Sequence, residues 1–129
     1  MTIKQIKETC LYVSDLQQTA HFYHNLLGLP IIGQVEDRHI FFRAGTSVLL
    51  CFIADKTKVD KNLPPHDGYG HLHLAFEVSP EEYAAWKEKI QALNIAIEKE
   101  QEWKNQLHSF YFRDPDGHLL EIVPQGIWE

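Results

Sequence analysis

Two stretches decide how this sequence is read: Glu8-Thr9-Cys10-Leu11-Tyr12-Val13-Ser14-Asp15 and His73-Leu74-Ala75-Phe76-Glu77-Val78-Ser79-Pro80. Each begins with a side chain able to bind a metal, continues as an apolar run of strand type and ends in a helix-start signal. The spacing between them is constant, 65 positions from Glu8 to His73 and again from Ser14 to Ser79. Internal duplication accounts for that constancy, and it makes Glu8 and His73 equivalent places in two half-domains.

The segments around these stretches repeat the same order. Residues 3–13 read as a strand built on Ile6, Leu11 and Val13. Asp15, with Gln18 three positions on, is a capping-box start, and Leu16, Ala20, Tyr23, Leu26 and Leu27 then recur at helical spacing. Gly28 and Pro30 stop that helix. Strands are expected at 30–35, 39–43 and 47–53, joined by separators short enough for hairpins. Residues 55–70, with Pro64-Pro65 and two glycines, read as a linker that either crosses the surface passively or acts as a lid. The second half offers a strand at 71–78, then a helix capped by Ser79 with Pro80 and Glu82 behind it. Tyr83, Trp86, Ile90 and Leu93 would be its buried stripe, and Asn94 its end. Strands at 95–99, 108–113 and 119–123 complete it, the last two joined by the strong turn Asp114-Pro115-Asp116-Gly117.

Each half is therefore β-α-β-β-β, and the chain reads as one α+β domain over 1–129: module one 1–54, linker 55–70, module two 71–129. Phe42-Arg43 also matches Phe112-Arg113, at an offset of 70. Carried forward, that offset lays Leu49-Leu50-Cys51-Phe52 on Leu119-Leu120-Glu121-Ile122, so Cys51 takes the place of Glu121.

A chain of 129 residues suits a single domain. Its net charge of −6 argues against a nucleic-acid groove or an anionic membrane surface as partner. No apolar stretch approaches the roughly 20 residues of a membrane span, and the N-terminus lacks the apolar core of a signal peptide. Two cysteines, Cys10 and Cys51, make no disulfide framework, and a cytoplasmic protein with reduced thiols is expected.

Leu11-Tyr12-Val13-Ser14-Asp15-Leu16, Phe22-Tyr23 and Leu27-Gly28-Leu29 resemble the opening of the vicinal oxygen chelate superfamily. His73–Val78 resembles its second opening strand, and Phe112-Arg113-Asp114-Pro115-Asp116-Gly117-His118-Leu119-Leu120-Glu121 resembles its closing hairpin. That superfamily includes glyoxalase I, fosfomycin-modifying thiol transferases, extradiol dioxygenases, methylmalonyl-CoA epimerase and the bleomycin-resistance proteins. The resemblance implies two βαβββ modules whose mixed sheets curl around a shared cavity. It implies a divalent metal, with ligand places falling here on Glu8, His73, Glu121 and Cys51. It also implies a homodimer acting on a small molecule.

A set of one imidazole and two carboxylates, Glu8, His73 and Glu121, favours the harder metals Mn or Mg and leaves Fe, Ni and Zn open. Glu8 and Glu121 are then the candidate catalytic carboxylates, able to move a proton at carbon beside a Lewis acid. Glu121, between Leu120 and Ile122, needs a partner in any case, because an unpaired buried carboxylate is unstable. Softer candidates for holding substrate are Cys51, Trp103, His108 and Arg38, with His39 and Arg43 beside the last of these. Cys10 and Tyr12 share a strand face with Glu8, and His71 shares one with His73. Lyase, isomerase, thiol-transferase and dioxygenase chemistries stay open. So does a metal-free binding protein of the bleomycin-resistance type, holding a cationic ligand with acidic groups and Trp86, Trp103 and Tyr111.

Overall fold

The structure, a computed structural model, describes residues 1–129. It divides into two compact units, Met1–Gly70 and His71–Glu129. The first unit contains strand β1 (Glu8–Tyr12), helix α1 (Leu16–Ala20), strands β2 (Ile31–Val35), β3 (His39–Ala44) and β4 (Ser47–Phe52), and a short helix α2 (Ala54–Thr57). The second contains β5 (His73–Val78), helix α3 (Tyr83–Ala92), β6 (Lys99–Glu102), β7 (His108–Arg113) and β8 (Leu119–Pro124). Each unit has one four-stranded mixed sheet, ordered β1-β4-β3-β2 in the first and β5-β8-β7-β6 in the second. The opening strand runs parallel to the last strand, and the remaining pairs are antiparallel. This is the duplicated α+β architecture that the repeated β-α-β-β-β order predicts.

Alternation along each strand gives every sheet one face toward its helix. In the first unit Leu11, Ile40, Phe42, Leu49 and Cys51 are buried on that side, and Tyr23 from the helical segment meets Phe42 at 5.5 Å. In the second, Phe110, Phe112, Leu120 and Ile122 fill the space beneath Ile90 of α3, and the Tyr83 ring reaches Phe110 at 5.5 Å. No helix is long and apolar enough to cross a membrane.

Several boundaries differ from the sequence reading. β1 begins at Glu8, not at residue 3, because its partner β4 begins only at Ser47 and the ladder has nothing to pair with further out. Ile3 and Ile6 are consequently exposed. The first helix does not stay α: after Ala20 it widens into a π-helical turn over His21–Leu26, with Leu27 N–H donating to Phe22 O. Phe22 and Tyr23, both on the wider turn, are both buried in the core. The strand expected at 95–99 is found at Lys99–Glu102; Asn94, at φ 60°, ends the helix and the chain needs four more residues to reach the sheet edge. Of the expected α3 stripe only Ile90 is fully buried.

The two helix starts also separate. The Asp15 carboxylate accepts from Gln17 N–H at 2.9 Å and Gln18 N–H at 3.2 Å, a true cap. Ser79 makes no side-chain cap, because Pro80–Glu82 enters as a 3₁₀ turn closed through the Ser79 backbone oxygen. Replacing Asp15 by Ala therefore removes about 1 kcal/mol of stability in a urea titration, whereas Ser79→Ala changes it by no more than a few tenths. Equal losses for the two would contradict this assignment of caps.

Candidate functional site

The second unit's site begins at its closing turn. Asp114 Oδ1 accepts from Asp116 N–H (3.0 Å) and His118 N–H (2.9 Å), and Gly117 takes φ +82°, a conformation open to glycine. The same turn brings the His118 ring, itself buried, under the start of β5, where its Nδ1 accepts from Leu72 N–H at 2.9 Å. Leu119 N–H then donates to Leu72 O at 2.8 Å. Those bonds lock the β5–β8 register: His73 lies opposite Leu119, and Ala75 opposite Glu121.

The register aligns a polar chain on the face turned away from α3. His73 Nδ1 lies 2.9 Å from the Leu119 carbonyl, which can only accept, so Nδ1 carries the proton. In the neutral ring Nε2 is then a bare lone pair, and it points at Glu121 Oε1, 3.3 Å away. Glu121 retains only 7% exposure. Across the β7–β8 pair it faces Tyr111, whose hydroxyl hydrogen-bonds to the carboxylate. Burial and the Glu121 charge push the Tyr111 phenol above its ordinary range, so it stays protonated and donates. Ser109 lies next along the same face, hydrogen-bonded to Tyr111, and Trp103 Nε1–H donates to Ser109 Oγ at 2.8 Å. Trp103 thus ends a hydrogen-bonded row running Trp103, Ser109, Tyr111, Glu121, with His73 standing beyond the carboxylate. Two lone-pair donors set face to face at 3.3 Å form an arrangement that a proton or a cation stabilises. Imidazole plus carboxylate on adjacent rigid strands is a donor pair that divalent metals accept.

The first unit carries Glu8 at the register position of His73: it faces Val48 on β4 as His73 faces Leu119 on β8. It is exposed on an edge strand. Neither unit by itself gathers three or more His, Cys, Asp or Glu side chains at metal-binding distance. Cys51 does not occupy the Glu121 place. It pairs with Leu11 and Ile40, and at 0% exposure it belongs to the helix-side core. The residue at the register position of Glu121 is Leu50, opposite Cys10 as Glu121 is opposite Ala75. The slip arises because the second hairpin has one residue more: Arg43 faces Val48, but Arg113 faces Leu119. One residue of slip turns a side chain to the other face. His108 is likewise on the helix side of β7, with Phe110 and Phe112, 3.8 Å from Glu102, and not on the Glu121 face.

On the face carrying Glu8, the first unit gathers rings. Tyr12, Phe52 and His39 form one cross-strand row; Cys10, Leu50, Phe41 and Gly33 form the next; Glu8, Val48 and Arg43 the third. His66 of the expected linker joins them, its Nδ1 2.7 Å from the Tyr12 hydroxyl. Gly68 follows, so close that a Cβ there would lie 2.7 Å from the Tyr12 ring. Arg38 anchors the same segment through Asp60 at 2.7 Å, with its guanidinium 5.6 Å from the Phe52 ring centre. The segment 58–68 is therefore a fixed wall of the first unit. Arg38 is part of that anchor, its charge matched by Asp60. Tyr12 is pushed up to about 12, by burial first and then by its Cys10 and Asp67 neighbours, and so remains a phenol.

A family model described as Glyoxalase/Bleomycin resistance protein/Dioxygenase superfamily matches residues 5–122. The chain belongs to that superfamily. Among curated relatives it is 30% identical to the metallothiol transferase FosB of Lysinibacillus sphaericus, over 95% of this chain and 83% of that protein. It is also 30% identical to the glutathione transferase FosA of Serratia marcescens, over 93% and 80%. Among solved structures, the lactoylglutathione lyase from Agrobacterium tumefaciens superposes with a TM-score of 0.92 at 30% identity, covering 98% of both chains. Superfamily membership accounts for the duplicated sheets.

His66, Phe41, Phe52 and Ser109 were not singled out by sequence. Ser109 could have been, by counting back from the Asp114–Gly117 turn along the face of β7 that carries Tyr111; His66, in a polar segment without periodicity, offers no such signal. One titration checks the electrostatics of the ring face. His39 accepts from Arg38 Nη1 at 2.6 Å, and burial together with that cation lowers its pKa below the ordinary 6.5. Its imidazole therefore charges only at a pH lower than in the unfolded chain, and any stability tied to its neutral form is lost as pH falls through that lowered value. An NMR titration should place the His39 midpoint below 6.5 and move it upward in Arg38→Gln; an unmoved midpoint contradicts the contact.

Proposed function

We propose that this chain is a small metal-dependent enzyme that chelates neighbouring oxygens of a small substrate, with lyase or thiol-transferase chemistry. The observation that carries the proposal is the His73–Glu121 pair: a tautomer fixed by Leu119 O, a bare Nε2 and a buried carboxylate aimed at one point. The relatives support the class of reaction. The two transferases and the lyase are each named for a thiol or for glutathione. A thiol, or an adduct of one, is accordingly the co-substrate we propose.

In this reading His73 and Glu121 hold the metal, and Glu8 is the donor-bearing position of the first unit by its register equivalence to His73. Leu50, standing where the second unit has Glu121, offers no donor. A divalent cation held by His73 and Glu121 supplies Lewis-acid stabilisation for an oxyanion developing on the substrate. Tyr111 keeps the Glu121 carboxylate oriented through its hydrogen bond, and Leu119 O does the same for His73. Glu121 is thereby tethered. Glu8, exposed on an edge strand, is the freer of the two carboxylates proposed for proton transfer. A homodimer is part of the proposal, and light scattering after size exclusion reads it directly.

Metal analysis of the purified protein tests the site. One divalent ion per chain is expected, with affinity for Mn²⁺, Ni²⁺, Zn²⁺ or Fe²⁺ lost in His73→Ala and Glu121→Gln. Tyr111→Phe, which touches no metal, should weaken affinity by about tenfold while the protein stays folded. Absence of any bound metal, with no thermal stabilisation on adding these ions, contradicts the enzyme reading and leaves a metal-free binding protein.

A further inference from the structure

The hydrogen-bonded row behind Glu121 has a direction, and the chemistry of its two ends fixes it. An indole N–H can only donate, so Ser109 Oγ accepts from Trp103 Nε1, at 2.8 Å. An ionised carboxylate can only accept, so the Tyr111 proton goes to Glu121. The Ser109 proton is then left for the Tyr111 oxygen, two residues along the same strand face. Every bond points the same way, from an indole at the surface to a carboxylate in the sheet. Hydrogen bonds aligned head to tail polarise one another, so a change at the terminal acceptor is felt at the first donor.

The loop that carries Trp103 is built against ordinary backbone preference. Asn105 and Gln106 take positive φ in succession, 55° and 61°, and neither is glycine. That left-handed pair folds the chain back, so that Trp103 N–H donates to Leu107 O at 2.7 Å and Leu107 N–H to Lys104 O at 3.1 Å. The closed loop sets Trp103 beside Ser109, which has no solvent contact although Trp103 itself keeps 44% exposure. A hydroxyl buried in a strand is stable only with its hydrogen bonds made, and filling alone would be served by an apolar side chain. Sparsely populated backbone states persist where their surroundings over-determine them, and they cluster at functional sites.

We propose that Trp103 is a positioning residue for Glu121. Through Ser109 and Tyr111 its indole N–H holds the carboxylate in the orientation that meets His73 Nε2, which makes the loop 103–107 part of the donor site at two residues' remove. This role rests on the chelation reading above, and every residue in it belongs to the second unit. Were Trp103 and Ser109 only filling, the indole would be indifferent to events at the carboxylate.

Indole N–H resonances of the ¹⁵N-labelled full chain test this. The chain has three tryptophans, and Trp103→Phe identifies the signal. In the metal-free protein Glu121→Gln, a weaker acceptor of the same shape, should move the Trp103 resonance upfield, and Ser109→Ala should abolish that response. Saturating Zn²⁺ should move the same resonance upfield in the parent and leave it in place in Tyr111→Phe. Zn²⁺ affinity, read by calorimetry, should fall about threefold in Trp103→Phe, which keeps a ring and loses the donor, and Trp103→Phe should add nothing in the Ser109→Ala background. A Trp103 resonance unmoved by Glu121→Gln, or affinity losses from Trp103→Phe and Ser109→Ala that simply add, overturns the positioning role and leaves chelation standing. A resonance that answers to Glu121→Gln in a protein that binds no Zn²⁺ supports the hold on Glu121 and overturns the chelation reading.

Discussion

A carboxylate held in the middle of a sheet with almost no solvent contact is the constraint around which the second unit is built. Glu121 sits between Leu120 and Ile122 on an inner strand, where an uncompensated charge is strongly destabilising. The unit supplies what the carboxylate needs. Tyr111 donates from the neighbouring strand, and His73 Nε2, at 3.3 Å on the other side, completes the compensation once a proton or a cation lies between them. The turn at Asp114–Gly117 and the buried His118 ring set the register that makes both contacts possible. Much of the polar machinery of this unit is thus understandable as support for one charge.

The two units have kept the same frame and used it differently. Both place a metal-capable residue at the start of the opening strand. Only the second has a carboxylate on its closing strand; the first has Leu50 there and builds a ring cluster on the same face. The segment after α2, which sequence composition marks as a passive link or a lid, is fastened to that cluster by Arg38–Asp60 and Tyr12–His66. Duplication followed by divergence in this way separates a donor-bearing face from an aromatic one.

The sequence carried the fold nearly whole, because binary patterning, the Asp15 cap, Gly28, Asn94 and the Asp114–Gly117 turn are local signals that tertiary packing did not override. Glu8, His73 and Glu121 stand out in it too, since a charged or imidazole group beside apolar strand residues is conspicuous. The failures have physical causes. Matching Cys51 to Glu121 assumed hairpins of equal length, and a single extra residue in the second hairpin reversed the face. His108 was assigned to the site by proximity in sequence, when strand alternation sends it to the helix side. The π-helical turn over His21–Leu26 leaves no mark in a periodicity read at 3.6 residues per turn. His66 acts only through a long-range contact that no local pattern encodes.

The central claim is that His73 and Glu121 converge on a divalent metal and that the buried thiol of Cys51 takes no part. X-ray absorption at the metal edge of the Zn²⁺-loaded protein reads the ligand atoms directly. The account predicts a first shell of oxygen with a single imidazole at about 2.0–2.1 Å, the imidazole signature disappearing in His73→Ala. A sulfur shell at about 2.3 Å, or an imidazole signal indifferent to His73→Ala, would contradict it.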